Sequence, residues 1–93
     1  MATDATQLLR RLQEYERTLS RHLDTTKREW SQMERSLQQL RGVYEGTAAR
    51  DFLAHWERSK AAFNAYNEGG RQVLRLLRER ITALQEADRR GDL

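Results

Sequence analysis

Ninety-three residues run without a single proline. Proline removes a backbone hydrogen bond and clashes with the preceding turn, so its absence leaves only glycines to interrupt a helix here. Strands have little to build on, because Val43, Val73 and Ile81 are the only β-branched apolar residues. Apolar side chains recur instead at helical spacing. In the first half Leu8, Leu12, Tyr15, Leu19, His22, Thr26, Trp30, Met33, Leu37 and Leu40 follow one another by steps of three and four. Two successive steps of four around Thr26 form a stutter in this heptad-like rhythm. His22 and Thr26 are its weakest members, and Leu23 partly fills the gap. In the second half Phe52, Trp56, Ser59, Phe63, Tyr66, Gly70, Val73, Leu77, Ile81 and Leu84 keep the same beat.

The ends of these patterns carry stop and start signals. Asp4 followed by Gln7 suits a capping box, and Arg41-Gly42 supplies a cation and a left-handed residue at a C-terminus, with Val43 folding back on Leu37. The expected layout is a helix over 5–41, a turn over 42–46, a helix over 47–88 with Thr47 as N-cap, and a frayed tail over 89–93. The pair Gly69-Gly70 costs about 1 kcal/mol per glycine relative to alanine. The apolar phase nevertheless continues across it, so the second helix reads as continuous with a soft spot. A connection this short makes the two helices antiparallel neighbours. A turn centred on Tyr44 sets Trp30 near Trp56, Leu37 near Phe52, Leu40 near Ala48 and Tyr15 near Val73, apolar against apolar each time.

One hairpin makes a thin core. Ten of the apolar residues are alanine, and charged residues reach 33%. The fold expected is an all-α antiparallel two-helix hairpin in a single domain that dimerises into a four-helix bundle. Trp30, Met33, Leu37, Phe52, Trp56 and Phe63 are assigned to the hairpin or dimer core. Leu9, Leu23, Leu53, Leu74 and Leu76 lie beside the main stripes and widen them. Ala62, Ala65 and Gly69 recur on one face, where small side chains admit a close helix.

Several chemistries are excluded. With no cysteine, disulfides, thiolate metal sites and cysteine nucleophiles are ruled out. His22 and His55 fall too far apart along a hairpin to share one ion, so no metal is expected. Acidic pairs such as Glu14 with Glu16 or Asp51 with Glu57 lie among arginines with no cleft to organise them, and no phosphate-binding glycine loop is present. The chain is read as noncatalytic, with no cofactor. No apolar run approaches the ~20 residues that span a bilayer, which argues against membrane insertion, and the N-terminus does not read as a secretory signal peptide. A net charge of +3 is spread over both halves. Arg71, Arg75 and Arg78 share one helical face, a basic face that would suit nucleic acid, although no aromatic interleaves with it. A solvated helix surface is the reading preferred. The tripeptide Arg90-Gly91-Asp92 is too short a match to an integrin motif to carry weight.

At the turn the residues resemble a known family. Tyr44-Glu45-Gly46-Thr47-Ala48-Ala49-Arg50-Asp51-Phe52, with Trp56 four residues on, is similar to the WXG family of early-secretory-antigen-like type VII secretion proteins. Those chains are helical hairpins of similar length with a Trp-x-Gly turn, followed by small residues and an aromatic. Tyr44 stands where the family carries tryptophan. The family's C-terminal Tyr-x-x-x-acid export pattern is missing, since Tyr15, Tyr44 and Tyr66 meet Leu19, Ala48 and Gly70 four positions on. The resemblance implies a bacterial, noncatalytic interaction module of a type VII (ESX) system, exported folded as a dimer without a cleavable signal peptide and cytoplasmic before export. Its partner would be itself, as a homodimer, or a WXG-family paralogue, and a secretion ATPase would drive export. The alternatives are a dimeric hairpin that binds nucleic acid through the arginine face, and a cytoplasmic helical adaptor.

Overall fold

The computed structural model describes residues 4–40 and 46–92, the side chain of Leu40 excepted. It is an all-α antiparallel hairpin of two helices, α1 (Asp4–Leu40) and α2 (Thr47–Arg89). They lie side by side in a rod of 67 × 16 × 16 Å. Helix α2 passes through Gly69-Gly70 without a break. The expected turn residues Tyr44 and Glu45, and the helix end at Arg41-Gly42-Val43, lie outside the described residues.

Gly46, not Thr47, is the N-cap of α2. It takes φ 113° and ψ −177°, and its carbonyl accepts the backbone N–H of Arg50 at 3.1 Å. That φ is open to glycine and strained for any residue with a β-carbon. Thr47 is the first helical residue, and no side chain caps the helix start. At the other end Gly91, at φ 76°, donates to the Asp88 carbonyl at 3.0 Å, and Asp92 donates to that of Ala87 at 2.8 Å. This is a Schellman close, which satisfies carbonyls that the helix end would otherwise leave open. Arg90 Nε adds a 3.0 Å bond to the Asp92 carboxylate.

Only part of each main apolar stripe faces the seam. Ile81 is buried and Leu12, Leu19, Leu77 and Leu84 are half-buried, while Leu9, Leu23 and Leu74, beside the stripes, are buried as well. Among the described residues the buried hydrophobic side chains are Leu9, Leu23, Leu74 and Ile81, with Leu23 fully enclosed. Leu8, Tyr15 and Met33 of the α1 stripe, and Phe52, Tyr66 and Val73 of the α2 stripe, are exposed. The reason is shape. A β-carbon on Gly70 would stand 2.6 Å from Leu23 Cδ2, so the two helices meet where α2 has no side chain and α1 inserts a leucine. Leu23 therefore faces Gly70. Both helices turn to seat branched aliphatic residues in the seam, and the tyrosines, each with a polar tip, stay at its edge.

The two neighbouring glycines should respond in opposite ways. Gly69 has open space where its β-carbon would be, so Gly69→Ala should raise unfolding free energy by up to about 1 kcal/mol through helix propensity. Gly70→Ala should overpack the enclosed Leu23, at about 1–3 kcal/mol, and end below the wild type. Chemical denaturation followed by circular dichroism at one protein concentration checks this, and equal gains at both sites would refute the seam. Gly46→Val should likewise lower stability, by more than about 1 kcal/mol.

Candidate interaction surface

Leu23 divides the rod into two flanks. At about 100° per residue His22 and Asp24 project to opposite sides of it. On the first flank His22 Nε2 and Tyr66 Oη share a hydrogen bond of 2.8 Å, with the rings edge-to-face at 6.2 Å. Leu8, Tyr15 and His22 follow at heptad spacing on α1, with Met33 further along. Phe52, Tyr66 and Val73 lie on the facing edge of α2. All of these side chains are exposed, and together they make an apolar ribbon along the rod. Leu76, 64% exposed, extends it around α2. Ala62 and Ala65 are exposed and Gly69 is half-buried. The small residue used between the two helices is Gly70, which leaves the Ala62, Ala65 and Gly69 positions outside the hairpin's own seam.

Near the turn end the seam is aromatic. Trp30 lies between Trp56, with ring centroids 4.8 Å apart and planes 17° apart, and Phe63, at 4.7 Å and 2°. Trp30 thus meets the partner that the hairpin register predicts and a second ring one heptad on. All three rings and Leu37 are half-buried. This stack holds the helices together where glycine no longer brings them close.

The second flank is polar. Arg71 binds Asp24 at 3.0 Å, and Arg78 binds Glu16 at 2.9 Å. Lys60 binds Glu34 at 2.8 Å across the same pair of helices. Two of the three arginines of the basic face are thereby matched with carboxylates of α1, and Arg75 is exposed without an ion pair among the described residues. His55 accepts a hydrogen bond of 2.7 Å from Arg58, so the two histidines serve separate local contacts. Among the described residues no group of three potential ligands could hold a metal ion, and no helix is long and apolar enough to cross a membrane. Asn67 and Lys27 received no role in the sequence pattern, yet both border a groove on this flank. Compared with family models, curated proteins and solved structures, the chain matches none of them.

The two kinds of contact should differ in weight. Trp30→Ala removes two stacked pairs and a half-buried ring, and should cost about 2–4 kcal/mol. Arg78→Ala removes an ion pair whose arginine is 55% exposed, and should cost less than about 1 kcal/mol. Urea titrations of both variants measure the difference. Comparable losses would mean that the charged edge, not the aromatic stack, holds the hairpin.

Proposed function

We propose that the chain is a noncatalytic protein-interaction module whose apolar flank docks a second helical hairpin, closing a four-helix bundle. The observation that carries this reading is the exposed ribbon of Leu8, Tyr15, Met33, Phe52, Tyr66 and Val73. The rod exposes 7425 Å², against roughly 5,600 Å² for a compact monomer of 11.0 kDa. The excess, roughly 1,800 Å², is of the size that a stable protein interface removes from water. The partner is a second copy or a paralogue of the same architecture.

Resemblance to the WXG family extends the proposal to type VII secretion, with export of the folded dimer by a membrane ATPase and no cleavable signal peptide. Its support is the Gly46-Thr47-Ala48-Ala49 segment opening α2, with Phe52 and Trp56 beyond it, on a hairpin of two long helices. Nucleic-acid binding is weaker as a reading, since Asp24 and Glu16 occupy Arg71 and Arg78. A cytoplasmic adaptor would share the docking flank and differ in never leaving the cell.

Light scattering on the purified chain should give twice the 11.0 kDa mass at tens of micromolar, or with the paralogue present. The double variant Phe52→Glu, Val73→Glu should be monomeric and still helical, because both side chains are exposed within the hairpin. A wild-type chain that stays monomeric with and without the paralogue overturns the docking surface. Culture supernatant is then compared with lysate while the secretion machine is active. Absence from the supernatant overturns the secretion assignment and leaves the adaptor.

A further inference from the structure

On the polar flank a groove of about 390 Å³ opens between the helices. Lys27 and Trp30 line it from α1, and Phe63, Asn64, Asn67, Glu68 and Arg71 line it from α2. Two of these side chains carry buried N–H donors with no acceptor among the described residues, the indole Nε1 of Trp30 and the amide Nδ2 of Asn67. The amide cannot be turned over to relieve this, because Arg71 Nε donates to Asn67 Oδ1 at 3.4 Å, and a flip would set the NH₂ against the guanidinium. Arg71 is further committed to Asp24. Lys27 is exposed and has no ion pair among the described residues.

A buried donor without an acceptor is an unfavourable state that an incoming acceptor relieves. Here two such donors and one uncommitted cation border the same groove, and aromatic rings line part of it. Glu68 and Asn64 add acceptors to the lining, so what the groove leaves unmet is the pair of donors, and these call for an acceptor. An anion with two acceptor oxygens on an apolar stem satisfies both donors, meets the Lys27 charge and lays its stem on the rings, and hydrogen bonds to a charged acceptor are the stronger kind. We propose that this groove binds a carboxylate of a partner protein, with Trp30 Nε1 and Asn67 Nδ2 donating to its oxygens and Lys27 supplying the opposing charge. The stem of the acidic group lies along Trp30 and Phe63. This site is on the flank opposite the apolar ribbon and does not depend on what docks there.

The test is a titration of the whole ¹⁵N-labelled chain at constant ionic strength and neutral pH. The Trp30 indole resonance is assigned by Trp30→Phe and the Asn67 side-chain amide by Asn67→Asp. N-acetylglutamate methylamide presents an acidic side chain, N-acetylglycine presents a chain-end carboxylate, and N-acetylglutamine methylamide is the neutral isostere. Both marked resonances should shift saturably with one or both carboxylates and stay still with the neutral amide. Whichever carboxylate binds more tightly identifies the source. Asn67→Asp keeps the side chain's shape and replaces the donor with a charge. It should weaken binding about tenfold or more, the weight of one hydrogen bond to a charged group, and Lys27→Met should weaken it in the same direction. Circular dichroism confirms that the variants remain helical. Equal shifts with the neutral amide, no shift with either carboxylate, or undiminished affinity in a folded Asn67→Asp chain overturns the proposal.

Discussion

Leu23 against Gly70 is the contact on which the other contacts depend. The leucine is fully enclosed, and a β-carbon on the glycine would come within 2.6 Å of it. Two long helices can lie against each other at many rotations and offsets, since each carries apolar residues over more than one stripe. A side chain inserted where the other helix has none selects one of them, because any other rotation forfeits that close packing. Once Leu23 faces Gly70, Leu74 and Ile81 turn inward and Leu9 follows near the far end. The positions of both flanks are then fixed by helical geometry alone.

A two-helix rod can enclose only one stripe of each helix, and this chain has more apolar surface than one stripe holds. The surplus is confined to one side. Ion pairs of Arg71 with Asp24, Arg78 with Glu16 and Lys60 with Glu34 link α1 and α2 elsewhere on the rod. Exposed pairs of this kind contribute little stability, but they disfavour registers that would set like charges together. The aromatic stack of Trp30 with Trp56 and Phe63 adds a third fixed point toward the turn. Seam, stack and charged edge agree on one register, and that agreement is what specifies a single hairpin.

This asymmetry bears on function more than any single residue does. Among the described residues the exposed apolar side chains and the ion pairs between the helices lie on opposite flanks of the rod. One flank is apolar, on a rod that exposes more surface than a compact chain of its mass. The other is largely neutralised by its own ion pairs, apart from a groove where an indole and an amide donor have no acceptor among the described residues. The proposed docking of a second hairpin and the proposed capture of a carboxylate use different flanks, so one chain could hold two partners, or two parts of one partner, at once.

The sequence by itself determined the helices. Steps of three and four, the lack of proline and the scarcity of β-branched residues are local properties, and they specify two long antiparallel helices and a second helix continuous through Gly69-Gly70. Candidate aromatics at Trp30, Trp56 and Phe63 were legible for the same reason, since they belong to any reading of the apolar face. The phase of the seam was not. Leu8 and Leu9, Phe52 and Leu53, and Val73 and Leu74 are neighbours of similar apolarity, and periodicity cannot choose within each pair when both stripes keep the same beat. That choice falls to packing between helices, where an absent β-carbon at Gly70 matters more than the hydrophobicity of any side chain. The Gly46 cap and the Schellman close at Gly91 depend on backbone angles that composition only permits. Asn67 and Lys27 were invisible for a related reason. A donor becomes an orphan only when tertiary structure buries it and brings it no acceptor, and no spacing along the chain records that.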